Sequence, residues 1–512
     1  MKTIIGIDVG TSSIKAVLFK ENGEALCTAR RESRLISNTH DQMELDMMEV
    51  WENVASCLRE LSGEAPEGVR SVVAIGVTGQ GEGFWGIDEQ GEPVRNAILW
   101  CDGRAIEDVE AITKENPEIG DFYYKTTGTH PLPGNQMMIL HWMAHREPEV
   151  LQKTKHVLFC KDWVRYKLTG HIETELTDAL TSLVDVKTET ISDELLNKLG
   201  LSEYRALLPD PVRSTQIAGN ITKEAAELTG IPEGIPVIAG ALDTSATAVG
   251  VGAVHEKDVC VILGTTCAGE IVLRKEDCDF GAPNSRFEKH PIGDLYVELQ
   301  PALNGTPNID WMLEVLSPTR DFNEIDRIVD AAPVGCGGVI YHPYLSVAGE
   351  RSPFYHPYAR ASFFGISQVT KRGDLIRAVY EGLSLSIRDC LQNVDRDGVL
   401  YLAGGGAKSP VWAQMIADVV GMKVRIPNEK ELGAKGVFIM TAVAMGIYPD
   451  YEEAVQATCT FREEHLPDPL RAQKYDMIYE LYRKIRINNQ EMWNERHLLN
   501  RRIREMNEKN EG

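Results

Sequence analysis

One pattern occurs twice in this chain: an apolar strand, a turn made of glycine and hydroxyl residues, and a second apolar strand. Residues 4–9 read Ile4-Ile5-Gly6-Ile7-Asp8-Val9, the turn is Gly10-Thr11-Ser12-Ser13, and residues 14–19 return as Ile14-Lys15-Ala16-Val17-Leu18-Phe19. Later, Val259-Cys260-Val261-Ile262-Leu263 runs into Gly264-Thr265-Thr266, followed by Ala268-Gly269-Glu270-Ile271-Val272-Leu273. Such hairpin turns aim backbone N–H groups and hydroxyls at one point, which suits a polyphosphate. A third glycine run, Gly404-Gly405-Gly406-Ala407-Lys408-Ser409, follows the strand 399–403 and opens a helix over 410–420. Glycines there let a flat ligand lie close to the backbone. One such turn is an ordinary loop. Three in this order predict an α/β duplication that clamps a nucleotide in a cleft between its halves.

The chain is too long for one core, so two large domains are expected among its 512 residues. The net charge of −23 argues against nucleic acid or an anionic membrane as partner, since both demand a basic face. No uninterrupted apolar run approaches the length of a membrane helix, and no signal peptide is visible. Ten cysteines without a CxxC pair read as thiols in a reducing cytoplasm. His141 and His145 share one helix face, but Trp142-Met143-Ala144 between them lacks the glutamate of a zinc-protease helix. A plain surface helix is expected there.

Periodicity predicts a helix over 47–61, with Met47, Val50, Trp51, Val54, Leu58 and Leu61 inward. Strands are expected at 72–78, 84–87 and 97–100, and mostly charged helices over 104–235. The tail from 471 to 512 reads as one or two helices with Ile478, Leu481, Tyr482 and Ile485 inward.

Taken in order, these motifs resemble the FGGY family of sugar kinases, within the actin-like ATPase superfamily. Ile7-Asp8-Val9-Gly10-Thr11-Ser12 resembles the family's first phosphate motif, Leu263-Gly264-Thr265-Thr266 the second, and residues 404–409 the adenosine motif. Gly240-Ala241-Leu242-Asp243-Thr244-Ser245-Ala246 is similar to the GxxDxxA segment whose Asp is the catalytic base. Ala361-Ser362-Phe363-Phe364-Gly365-Ile366, with Asp374-Leu375 and Ala378-Val379-Tyr380-Glu381, fits the C-terminal signature. Two stretches depart from the family pattern. Met138-Ile139-Leu140-His141-Trp142 lacks its usual Lys, and Glu431-Leu432-Gly433-Ala434-Lys435-Gly436-Val437 carries Lys435 and Val437 where small residues are common.

The resemblance implies a two-domain, duplicated ribonuclease H-like α/β fold: an N-terminal domain over 1–246, a C-terminal domain over 247–470 and a helical tail over 471–512. It implies ATP and Mg2+ as cofactors, a small sugar or polyol as partner, and an assembly compatible with a homodimer. Gly10, Thr11, Ser12, Ser13, Lys15, Gly264, Thr265, Thr266, Gly404, Gly405, Gly406 and Lys408 are then the nucleotide residues. Asp8 and Asp243 would hold the metal, with Asp243 taking the proton of the attacking hydroxyl. Asp243 could also serve as a helix N-cap, and Lys15 could be a surface residue. Gln80, Gly81, Glu82, Asp102 and Arg104 are the expected sugar contacts, with Asp102–Arg104 as a plain ion pair the alternative. Burying Glu82 demands hydroxyl donors or Arg104.

Gln80-Gly81 resembles the L-xylulose and erythritol kinase branch more than the Gln-Met-His of xylulose kinases or the Gln-Arg-Glu of glycerol kinases. Gly349-Glu350-Arg351-Ser352-Pro353-Phe354 occurs broadly and does not separate these. A pentulose is expected, L-xylulose before D-xylulose, with erythritol next. An actin-like ATPase that phosphorylates no sugar, or a sugar-sensing module without catalysis, are the readings of another class.

Overall fold

The computed structural model describes residues 2–37, 39–280 and 285–511. It divides into two compact units, each assembled from separated segments. The first comprises Met1–Val254, Leu273–Glu298 and Glu429–Thr460; the second comprises His255–Val272, Leu299–Asn428 and Phe461–Gly512. The units are therefore interleaved along the chain, whereas the expected division at 246 and 470 is linear.

In the first unit the strands lie in the order Ile217–Asn220, Pro236–Ile238, Val72–Gly79, Thr3–Val9, Ser13–Lys20, Ala25–Glu32. Thr3–Val9 pairs antiparallel with Ser13–Lys20 and parallel with Val72–Gly79. It is apolar on both faces and buried apart from Asp8, as a strand covered on both sides must be. Helix Met47–Glu64 covers one face, its first turn capped by Asp46 accepting from the Met48 and Glu49 amides. All six of its expected inward residues are buried. The 104–235 stretch is less helical than expected, because short strands such as His156–Leu158 and Ile217–Asn220 interrupt its helices.

Glycines explain why Glu429–Thr460 belongs to the first unit. Helix Leu432–Ala444 packs on Thr3–Val9, on Val72–Gly79 and on helix Asp243–Val251. A Cβ at Gly6 would stand 2.4 Å from the Ala434 carbonyl oxygen, and one at Gly250 2.0 Å from that of Leu432. At Gly436 it would come within 1.8 Å of the Ala246 oxygen. No larger residue fits between these backbones. Lys435, the unusual residue in this helix, is buried; its ammonium donates to the Gly23 and Thr458 carbonyls at 2.8 Å each.

The second unit repeats the local topology. Val259–Leu263 pairs antiparallel with Cys267–Arg274, whose residues up to Val272 belong to this unit, and parallel with Val399–Ala403. Lys423–Pro427 and Phe461–His465 extend the sheet. The tail is one helix, Pro469–Glu511, and its buried stripe is Tyr475, Tyr479, Tyr482, Arg486 and Trp493. Leu481, expected inward, is 47% exposed, and Ile478 and Ile485 are half-buried. The facing helix Arg372–Cys390 accounts for this by presenting partners for phenols. The Tyr475 hydroxyl donates to Glu381 at 2.9 Å and that of Tyr479 to Asp389 at 2.8 Å. All ten cysteines are free thiols. Among the described residues no helix is long and apolar enough to cross a membrane.

Two predictions follow from the packing. Gly436→Ala should destabilise the protein by at least about 2 kcal/mol in urea unfolding, whereas Gly63→Ala, with open space around it inside a helix, should stabilise by about 0.5–1 kcal/mol; equal effects would contradict the close approach. His290 is buried, its Nε2–H facing the Ala253 carbonyl at 3.1 Å and its Nδ1 accepting from the Ile292 amide at 3.2 Å. Burial holds its pKa down at about 4, below the ordinary 6.5. The unfolded chain therefore binds the extra proton first, and stability is lost as pH falls from 6.5 through 4. Replacing His290 with Gln should flatten the melting temperature over that window and leave its slope above pH 7 unchanged.

Candidate active site

Asp8 closes the first strand and faces Lys15 across the hairpin, whose turn is held by the Gly10 amide donating to the Ser13 carbonyl at 3.1 Å. The Lys15 ammonium lies 3.9 Å from Asp8 and 2.7 Å from Glu431. It is half-buried between two carboxylates rather than free at the surface. Glu431 was not expected at this site. It arrives because helix Leu432–Ala444 begins against the hairpin, where a Cβ on Gly433 would stand 3.0 Å from Asp8 Oδ2. Burial is the main cause that pushes the Asp8 pKa up to about 6, with Lys15 opposing and Glu431 adding to the rise. Thr11 and Ser12 form the open tip of the turn, while Ser13 is buried at the start of the next strand.

Asp243 is the first residue of helix Asp243–Val251, and Leu242 occupies the cap position. Its carboxylate accepts from the Thr244 amide at 2.8 Å, so it sits at the positive end of the helix. Burial raises its pKa to about 7; the neighbouring charges of Asp8 and Glu288 add to the rise, and the Thr244 amide and Arg286 oppose it. Asp8 and Asp243 are thus close enough to repel each other's charge. Such a pair of hard oxygen donors, each resisting ionisation, fits a divalent cation.

A cluster of buried polar side chains lies beside Asp243 in the same unit. Thr11 Oγ1 accepts from Trp100 Nε1 at 3.0 Å and donates to Gln80 Oε1 at 3.1 Å, joining the phosphate turn to the Gln80 motif. Gly81 has no room for a side chain: a Cβ would stand 2.2 Å from Leu242 Cδ1 and 2.8 Å from Asp178 Oδ1. Glu82 is buried with a left-handed backbone, φ 59°. It accepts from the Asn135 amide side chain, from the Gln136 amide at 3.2 Å and from the Ser182 hydroxyl at 3.1 Å.

Two amide N–H groups and one hydroxyl therefore satisfy Glu82, and Arg104 does not. Arg104 instead makes a bidentate pair with Asp102 at 2.8 and 2.9 Å and a third bond to Glu44 at 2.7 Å. Asp102 also accepts from the Met43 amide at 2.7 Å. The two residues brace the loop that carries Trp100, as the ion-pair alternative has it. Arg286 and Glu288, which sequence reading passed over, come to this cluster on strand Arg286–Lys289. Nothing in their local sequence marks them; only the fold does.

His141 and Asp108 are hydrogen-bonded at 2.8 Å, and Arg146 pairs with Asp108 at 3.0 Å. With His145 these groups form the one cluster of metal-binding types found among the described residues, but Arg146 already supplies its cation. The helix is not the plain surface helix expected: six of the eleven residues of Gln136–Arg146 are buried, and only His145 and Arg146 are exposed.

In the second unit, the Gly264 amide donates to the Thr266 carbonyl at 3.0 Å and closes the second turn. Thr265 and Thr266 are exposed. The glycine run packs directly behind it: a Cβ at Gly404, whose φ is 91°, would stand 2.6 Å from the Leu263 oxygen, and one at Gly406 2.5 Å from Leu263 Cδ2. Gly405 and Lys408 are exposed beside the helix Pro410–Val420, which Ser409 caps by accepting from the Trp412 amide. On its other side the turn rests on 304–306, where the Thr306 amide donates to the Gly264 carbonyl at 2.7 Å. Glu350 pins that segment by accepting from Asn304 at 2.6 Å and from the Leu303 amide at 2.7 Å. The second turn and the glycine run thus form one surface.

Residues 3–250 match the N-terminal domain of the FGGY family of carbohydrate kinases, and residues 301–445 match its C-terminal domain. An erythritol kinase of Brucella abortus is 31% identical over 96% of this chain and 97% of its own length. A probable L-xylulose kinase of Haemophilus influenzae is 29% identical over 94% and 98%. The crystal structure of a xylulose kinase from Rhodospirillum rubrum superposes with a TM-score of 0.87 at 25% identity, covering 96% of this chain and all of the other. Its two-domain actin-like ATPase fold is the one expected from the sequence. The chain belongs to the FGGY family of carbohydrate kinases and is an ATP-dependent sugar kinase.

Proposed function

We propose that the protein transfers the γ-phosphate of ATP to a hydroxyl of a pentulose, L-xylulose or D-xylulose, in the cytoplasm, with Asp243 as general base. The observation that carries this reading is the setting of Asp243: a carboxylate at a helix N-terminus, raised to about 7, beside the linked polar side chains of Thr244, Glu288 and Arg286. A base poised near neutral pH takes a proton from an alcohol far better than an ordinary aspartate. Erythritol is the second reading. It is favoured by the 31% identity to a protein named as an erythritol kinase.

In this reading Gly10, Thr11, Ser12, Ser13 and Lys15 of one turn and Gly264, Thr265 and Thr266 of the other hold the ATP phosphates. Gly404, Gly405, Gly406 and Lys408 line the adenosine. Asp8 and Asp243 would hold Mg2+, which when bound neutralises phosphate charge. Gln80, Gly81 and Glu82 face the sugar, with Asp102 and Arg104 as the brace behind them. Asp243 orients the hydroxyl and receives its proton; Gln80 and Glu82 fix the rest of the molecule, since phosphoryl transfer depends mainly on alignment.

The deciding measurement is ADP release across L-xylulose, D-xylulose, erythritol and glycerol. Release that ignores the sugar would overturn the reading in favour of an ATPase. Asp243→Asn should lower turnover by about two to four orders of magnitude while binding a fluorescent ATP analogue within about threefold of the wild type. In metal-free protein the same variant has a second effect. The folded pKa of Asp243, about 7 against an ordinary 3.8, means that stability present below pH 4 is lost as pH rises through 7. Asp243→Asn should therefore melt roughly 2–4 °C above the wild type at pH 8 in EDTA and no higher than it at pH 4.

A further inference from the structure

Resting on the kinase reading, we infer that Arg286 and Glu288 bind the substrate and select a neutral polyhydroxy compound over a sugar acid. Both stand on strand Arg286–Lys289, which brings them beside Asp243, whose carboxylate senses the charges of both. Glu288 is buried, accepts from the Thr244 hydroxyl at 2.5 Å and meets Arg286 Nη2 at 3.2 Å. The same guanidinium nitrogen lies 3.9 Å from Glu82. Arg286 therefore links the carboxylate next to the catalytic residue with the carboxylate of the Gln80-Gly81-Glu82 motif.

Three buried donors around this link have no protein partner: Gln80 Nε2, the Tyr123 hydroxyl and Arg286 Nε. Tyr123 is wholly buried, Gln80 is 2% exposed, and the Tyr123 phenol senses the charges of both Glu82 and Arg286. Buried polar groups are rarely left unsatisfied, because each orphan has given up its hydrogen bonds to water without replacement. A ligand that accepts from these donors and donates to the carboxylates would complete the set, and hydroxyl groups do both.

Charge decides which hydroxylated ligand fits. Asp243, Glu82 and Glu288 are three carboxylates against one guanidinium. An aldonate or uronate would bring a fourth carboxylate into a buried site whose single cation is already shared by two of them. Like charges in such surroundings repel strongly. A ketose or alditol meets no such penalty.

The test uses the conservative variants Arg286→Lys, which keeps the charge but loses the fork, and Glu288→Gln, which keeps the shape. Each should raise KM for the best neutral substrate at least about tenfold, with KM for ATP unchanged. Calorimetric binding of xylulose and erythritol without ATP should weaken in parallel. In the wild type, xylonate and erythronate should neither be phosphorylated nor bind. KM and polyol affinity within about twofold of wild type in both variants would overturn the inference, as would a wild type that binds xylonate as tightly as xylulose. The two readings fail separately. Polyol-dependent ADP release with unaltered variants sinks only the role of Arg286 and Glu288. Polyol binding that the variants lose, in a protein whose ATP turnover ignores polyols, supports the role and sinks the kinase reading.

Discussion

The close approach of helix Leu432–Ala444 to the first unit's sheet sets the geometry of everything around Asp8 and Asp243. It depends on glycine at four places on facing backbones: Gly6 and Gly76 on the strands, Gly250 on the Asp243 helix, and Gly436 on the incoming helix itself. With any side chain at these points the helix would stand off, and three features would be lost together. Glu431 would leave Lys15, Gly433 would leave Asp8, and the helix that starts at Asp243 would lose the surface it rests on. Packing and chemistry thus share one cause. The interior is dense enough that a displacement at Gly436 would be passed on to the carboxylates rather than absorbed.

Electrostatics gives those carboxylates their character. Asp8 and Asp243 are pushed up mainly by burial and further by acidic neighbours, with Lys15 opposing at Asp8 and the Thr244 amide and Arg286 opposing at Asp243. Lys15 is largely engaged by Glu431, and Arg286 by Glu288 and Glu82. The first unit therefore gathers more negative charge than its own cations balance, which is the condition a bound cation relieves. By contrast, the buried group of Lys161, Arg165, Asp162, Glu175 and Asp178 sets two cations among three carboxylates with no solvent access, and it supports the wall behind Gly81 through Asp178.

Much of this was legible in the sequence because it is local. The two hairpins, the glycine run and the amphipathic helix Met47–Glu64 follow from turn chemistry and periodicity, which operate over a few residues. The tail shows where that reasoning stops. A hydrophobicity rule turned Leu481 inward, whereas the fold turns in Tyr475 and Tyr479, because helix Arg372–Cys390 offers Glu381 and Asp389 to their hydroxyls. Likewise, the choice between Arg104 and hydroxyl donors for Glu82 could not be made without knowing which residues surround it.

By itself the sequence determined the repeated strand–turn–strand motif, the order of the phosphate-type turns and the carboxylate at position 243, since each is written in neighbouring residues. Only the tertiary structure decided that Glu431 joins Lys15, that Asp102 and Arg104 pair with each other, and that Arg286 and Glu288 stand beside Asp243. These contacts join residues far apart in the chain, and long-range proximity is set by how sheets and helices pack, on which local spacing is silent.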